Sequence, residues 1–250
     1  RTDDAGLRAT FDWITHAGLG EATPALIEGF VKAQQATDAD AWARIVRDYR
    51  LTWEMLPTAA LTQPVVWEAL LDVGVPMTAL MRQLPRLTRL GLLPAIGGRT
   101  QEVCAQLTDA KRLRAARVHP VNVLVAQRTY ASGTSYRGTT KWTPTTKVTD
   151  ALDAAFYAAF GAVEPSGKRT MLALDVSWSM GMSISGMGIS AREASAALAL
   201  VQLATEPEAV AYGFSDAGSG MWSDSALTQL DISPRRRLDD ALAAVDAMDF

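Results

Sequence analysis

Asp175, Ser177 and Ser179 are spaced by twos at the end of a short apolar run, Met171 to Leu174. One carboxylate and two hydroxyls at that spacing offer hard oxygen ligands. Mg²⁺ prefers such ligands and keeps positions for water or a partner's oxygen. The run reads as a buried parallel strand that feeds a Gly/Ser-rich loop and then an Ala/Leu-rich helix. Ligands of open α/β sheets bind beyond the carboxyl ends of such strands. Asp, Ser and Gly also build turns without any metal. Position at a strand end, just before a helix, favours the divalent-cation reading over a simple turn.

A second set of residues carries charge. Between Ala79 and Lys147 twelve basic residues stand against only Glu102 and Asp109, a net +10, while the rest of the chain carries −13. A basic block inside an acidic protein is the electrostatic footprint of a polyanion partner. A solvated helical face, or pairing with the acidic flanks, would use the same residues. Arg82, Arg86 and Arg89 recur at three and four residues and so share one helix face. Lys111, Arg112, Arg114, Arg117 and His119 follow, with His119 biased to an extended backbone by Pro120. Between Ala131 and Pro144, the loop mixes Tyr136, Arg137, Lys141 and Trp142. That mixture suits RNA phosphate contacts plus base stacking. A loop pinned by Tyr136 and Trp142 in a hydrophobic seam is the competing reading.

No nucleophile is assembled with a base. The chain has two histidines and one cysteine, none in a recognised catalytic motif, and His16 at the edge of an apolar stripe reads as structural. Catalytic residues are therefore not expected. The single Cys104 cannot form an internal disulfide, which favours a reducing, cytoplasmic compartment. No uncharged apolar run is long enough to span a membrane, and no signal-peptide pattern is read in these residues.

These side chains need elements to position them. Residues 1 to about 75 read as short amphipathic helices. Leu7, Phe11 and Ile14 mark the first, Leu26, Ile27, Phe30 and Val31 the second, and Trp42, Ile45 and Val46 the third. Asp38 or Asp40 caps the third, and Pro64 opens a fourth. From Pro76 to Leu93, Met77, Leu80, Met81 and Leu84 face inward, with Pro85 expected to kink or end the helix. Successive helix pairs of irregular length suit a HEAT-like solenoid, whose curved surface is long. A helix over 149–160 and a turn through Lys168 and Arg169 lead into the central strand. A helix over 191–205, a strand over 209–215, a short strand from Met221-Trp222 and a helix over 237–248 follow, with Leu238, Leu242 and Val245 inward. The expected division is a helical, RNA-binding region over 1–146 and a Rossmann-like region over 147–250. Arg1 falls inside a helix pattern and Phe250 just after one, so both ends read as cuts.

Several stretches together resemble one family. They are Arg117-Val-His-Pro120, Tyr136-Arg-Gly138, Lys141-Trp142, Ala151-Leu-Asp-Ala-Ala-Phe-Tyr157, Val163-Glu-Pro165, Gly167-Lys-Arg169 and Asp175-Val-Ser-Trp-Ser-Met180. These resemble the sixty-kilodalton Ro autoantigen family, in its bacterial or phage, Rsr-like form. The resemblance is dense from about Arg114 to Met180 and looser on either side. It implies a mainly α plus α/β fold: HEAT-like repeats (a TROVE module, part of a ring) followed by an incomplete von Willebrand factor A domain. It also implies binding of Y RNA and of single-stranded ends of misfolded noncoding RNAs, in bacteria beside an exoribonuclease. Asp175, Ser177 and Ser179 match the first motif of the family's metal-ion-dependent adhesion site. The family's remaining ligands, a Thr and a later Asp, are expected after Phe250, and its early repeats before Arg1. The rest of the site is then expected in another segment or chain, paired beside Met171 to Leu174.

The leading expectation is a noncoding-RNA-binding scaffold rather than an enzyme. The alternative is a Mg²⁺-dependent protein-interaction module of the A-domain type, with a protein ligand at the metal and no RNA. A Mg²⁺-dependent hydrolase is a weaker third. RNA binding should weaken steeply with salt, whereas a Mg²⁺-bridged protein contact should be abolished by chelation.

Overall fold

The computed structural model describes residues 3–16, 18–136, 138–214, 227–233 and 238–246. They belong to two compact units, Arg1–Pro94 and Ala95–Phe250. The helices after residue 94 fold in one unit with the sheet.

The first unit is helical, with α1 (Ala5–His16), α2 (Ala25–Gln35), α3 (Ala39–Tyr49), α4 (Pro64–Val73) and α5 (Met77–Arg89). Asp38 caps α3 by accepting from Ala41 N at 2.8 Å, and Arg50 ends it in a left-handed conformation. Trp42 and Val46 are buried, and the Trp42 indole donates to Ala33 O at 2.9 Å, tying α3 to α2. The two helices approach so closely that only glycine fits at position 29. A Cβ there would lie 2.4 Å from Tyr49 Cβ. Consequently Gly29 and Ala33 form the buried stripe of α2, while Leu26 is exposed and Ile27, Phe30 and Val31 are half-buried.

Two helical expectations are corrected. The stripe of α1 does not turn inward: Leu7, Phe11 and Ile14 are 45%, 55% and 64% exposed. The face carrying Trp13 makes the contact instead, edge-to-face on Phe30 at 5.9 Å. Pro85 does not end α5, which continues to Arg89. Proline removes one N–H and crowds one carbonyl. The fully buried Leu80, Leu84 and Leu87 on either side supply apolar burial worth roughly 1.5–3 kcal/mol each, enough to carry the helix through.

The second unit begins with α6 (Thr100–Leu107), α7 (Ala110–Ala115), α8 (Pro120–Ala131) and α9 (Thr146–Ala158). Helix α9 packs on α6 and α8 and buries Val148, Leu152 and Phe156. Then come β1 (Thr170–Asp175), α10 (Ala191–Thr205), β2 (Ala209–Phe214), β3 (Leu227–Gln229) and α11 (Leu238–Asp246). β1 pairs parallel with β2 from Thr170–Ala209 to Asp175–Phe214, and β2 pairs antiparallel with β3. The third strand expected at Met221-Trp222 lies outside the described residues, as does the side chain of Leu242. Side chains alternate across the sheet. Leu174 and Ala211 are buried on the side where α10 packs, while Met171 (58%), Val210 and Phe214 are exposed on the other. In the strand order β1-β2-β3, β1 and β3 are the edge strands among the described residues. No helix among them is long and apolar enough to cross a membrane.

Candidate functional site

β1 delivers Asp175 to the sheet's carboxyl edge, and Val176 N donates to Phe214 O at 2.8 Å, carrying the register one residue further. Ser177 then starts a single 3-10 turn, Trp178–Gly181, with its carbonyl accepting from Met180 N at 3.0 Å. Spacing by twos in the sequence therefore becomes clustering in space. Ser177 N donates to Asp175 Oδ1 at 2.9 Å, and the hydroxyls of Ser177 and Ser179 lie 3.0 Å apart. The Ser177 hydroxyl, and after it the Ser177 N–H, hold the Asp175 carboxyl below its ordinary range, so it is ionised at neutral pH.

This donor set fits a hard divalent cation. Oxygens held about 2.1 Å from Mg²⁺ at right angles are about 3 Å apart, the separation of the two hydroxyls. Among the described residues no three His, Cys, Asp or Glu side chains gather as a ligand group. A cation here would be held by hydroxyls and one carboxylate. Trp178, between the two serines, is 88% exposed.

The helix behind the site was legible only in part. Ser190-x-x-Glu193 before an apolar run is a capping-box signature. Both halves form: Ser190 Oγ accepts from Glu193 N at 3.1 Å, and Glu193 Oε2 accepts from Ser190 N at 2.9 Å. Two roles have no sequence signature. Arg192 Nη2 donates to Ser177 O at 3.1 Å and Val176 O at 3.4 Å. Arg128 on α8 pairs with Glu193 at 3.1 Å.

The basic candidates divide between the units. In the first unit Arg82 and Arg89 are exposed, but Arg86 is not a free surface charge. Its guanidinium lies over the Trp67 ring, 5.7 Å from the centroid, and burial, aided by the Arg89 charge, lowers its pKa. In the second unit Lys111, Arg112, Arg114, Arg117 and His119 are all exposed. Asp109 caps α7 by accepting from Lys111 N and Arg112 N, while Arg112 and Arg114 sit in its last turn. Arg117 takes a left-handed conformation, and His119 caps α8 by accepting from Val121 N at Nδ1. His119 therefore has a structural role at the start of α8.

The loop after α8 separates its aromatics. Trp142 is buried, whereas Tyr136 is 50% exposed and Lys141 is exposed. Arg137 lies outside the described residues, as does the side chain of His16. Cys104 is no activated nucleophile: burial pushes its thiol pKa up, and Sγ donates to Lys147 O at 3.4 Å.

Helices bearing exposed cations are thus followed by a sheet whose edge carries Asp175, Ser177 and Ser179. The TROVE domain model matches residues 15–129 and the Ro60 vWA domain model matches 169–250. The chain is 39% identical over 191 residues to the RNA-binding protein RO60 of Caenorhabditis elegans, covering 76% of this chain and 29% of that protein. It is 37% identical over 256 residues to the RNA-binding protein RO60 of Deinococcus radiodurans, covering 100% of this chain and 46% of that one. The crystal structure of the Deinococcus radiodurans RO (RSR) protein superposes with a TM-score of 0.84 at 34% identity, over 98% of this chain and 48% of that chain. The chain belongs to the Ro sixty-kilodalton family and spans less than half the length of these relatives.

Proposed function

We propose that this chain is part of a noncoding-RNA-binding scaffold, with no catalytic role of its own. The observation that carries the reading is the exposed run Lys111, Arg112, Arg114, Arg117 in the second unit, joined there by exposed Tyr136 and Lys141. Side chains that pair with phosphate and a ring that offers a stacking face are the two requirements for gripping single strands. The names of the Deinococcus and worm relatives support the same reading. Y RNA, and single-stranded ends of misfolded RNAs, are the proposed ligands in RNA quality control or stress response in the cytoplasm. An exoribonuclease is a proposed companion.

Asp175, Ser177 and Ser179 are proposed to hold Mg²⁺ or another divalent cation, with remaining ligands from another segment or chain. The cation would offer a vacant position to an acidic oxygen of a protein ligand. Its support is the paired hydroxyls beside an ionised carboxylate.

The test is anisotropy of a labelled RNA hairpin with an unpaired end, titrated with the protein across a salt series. Affinity should fall steeply, with a slope of about −0.7 per neutralised phosphate in log–log form. A flat salt dependence, or equal affinity for blunt duplex, would remove the reading.

A further inference from the structure

We infer that Arg192 is the positioning residue of the strand-end loop, holding its backbone so that Ser177 and Ser179 present their hydroxyls as a pair. The inference rests on the divalent-cation reading of that pair and adds a residue outside it.

Arg192 is the second residue of α10, so its base is fixed by the Ser190–Glu193 capping box. Glu193 is in turn anchored to α8 through Arg128. From this support the guanidinium reaches back across the loop to Ser177 O and Val176 O. Those two peptides are the junction of the site. Val176 is registered to β2 through Phe214 O. The Ser177 carbonyl also accepts from Met180 N, the bond that closes the turn carrying Ser179. One carbonyl is thus shared by Arg192 and by the turn that sets Ser179 against Ser177. Loss of the guanidinium frees the peptide on which the 3.0 Å hydroxyl separation depends.

Electrostatics supplies a sign test. A guanidinium beside a cation site repels the cation. Were Arg192 only a neighbouring charge, neutralising it would tighten cation binding. As a positioning group its loss weakens binding, as loss of outer-shell partners does, by roughly 10–100-fold.

The test compares the full chain with Arg192→Met and Arg192→Lys. Mn²⁺ affinity is read by electron paramagnetic resonance, loop order by amide hydrogen exchange at Ser177, Met180 and Met182, and folding by thermal midpoint. Arg192→Met should weaken Mn²⁺ at least about 10-fold and speed exchange at all three amides with the midpoint nearly kept. Arg192→Lys keeps the charge but loses the paired donation, and should fall between. Tighter Mn²⁺ with unchanged exchange overturns the inference. If the parent takes up no Mn²⁺ without the ligands proposed to come from another segment or chain, exchange alone decides the clamp: faster exchange sustains it and unchanged exchange overturns it. If Arg192→Met does not fold, Arg192→Lys carries the same comparisons.

Discussion

The Trp142 indole donates to Tyr130 O at 2.8 Å, and the two rings stack with centroids 6.4 Å apart. Tyr130 is itself buried and accepts at its hydroxyl from Thr145 N at 3.1 Å. The residues between them form a loop closed by Trp142 N on Gly133 O and Ser135 N on Thr140 O. Trp142 is the anchor of that loop and Tyr136 its exposed tip.

The two aromatics should therefore separate cleanly on mutation. Trp142→Ala should cost about 3–5 kcal/mol of stability, as for a buried tryptophan. Tyr136→Ala should leave stability nearly unchanged and cost about 1–3 kcal/mol of binding to RNA with an unpaired end. Urea unfolding beside anisotropy checks both. A Tyr136 variant that unfolds early, and loses duplex and single-strand binding equally, would return Tyr136 to the packing role.

The three arginines of α5 should not behave as equals. Arg86 covers Trp67, so Arg86→Glu would disturb packing as well as charge. The informative variant is Arg82→Glu with Arg89→Glu, both exposed. If α5 contacts phosphate, this pair should flatten the salt slope by about 0.7 per lost contact on single strands without moving the thermal midpoint. An unchanged slope would leave Arg112, Arg114 and Arg117 to carry the contact, and the same substitution there would test them.

These cases mark how far pattern alone reaches. The period of 3.6 located α1 to α5 and the apolar run located β1, because burial imposes those periods. Which stripe is buried was less legible. Leu7, Phe11 and Ile14 have helical spacing, yet the burial in α2 follows Gly29 and Ala33, residues with little hydrophobic signal. The clustering of Asp175, Ser177 and Ser179 was legible because oxygen-bearing side chains spaced by twos lie within one loop. Arg192 was not, since its partners are backbone carbonyls about fifteen residues earlier in sequence, brought near only by the return of α10. β3 was missed for a similar reason: Leu227–Gln229 has three residues, and its pairing with β2 sets its structure.

Gly29 offers a stability test in which two effects oppose. In a helix interior, Gly→Ala alone should gain about 1 kcal/mol. Here the added Cβ would overlap Tyr49 Cβ at 2.4 Å and Cγ at 2.5 Å, atoms too close to the backbone to swing away. Overpacking of this kind costs about 1–3 kcal/mol. Gly29→Ala should therefore be net destabilising in urea unfolding. A stabilised variant would show that α2 and α3 can slide apart.

Glu206, just after α10, gives a pH dependence whose sign can be worked out. Its buried carboxylate accepts from Ser166 N at 2.7 Å and Gly167 N at 3.0 Å, tying the turn before β1 to the end of α10. Those donors, the Ser166 N–H foremost, hold its pKa below the ordinary glutamate value of 4.5. A carboxylate whose pKa is depressed by folding stabilises the fold at pH values above its unfolded value. That stabilisation is lost as the pH falls through the folded value. Glu206→Gln removes the charge at every pH, so it resembles the protonated parent. The parent should melt higher than Glu206→Gln at neutral pH, and the gap should narrow below about pH 4.5. It should close once the pH passes the depressed value. Thermal midpoints of both proteins from pH 7 to pH 3 check this. A gap that stays constant into acid would mean that the amide fails by shape, and that the charge on Glu206 contributes nothing.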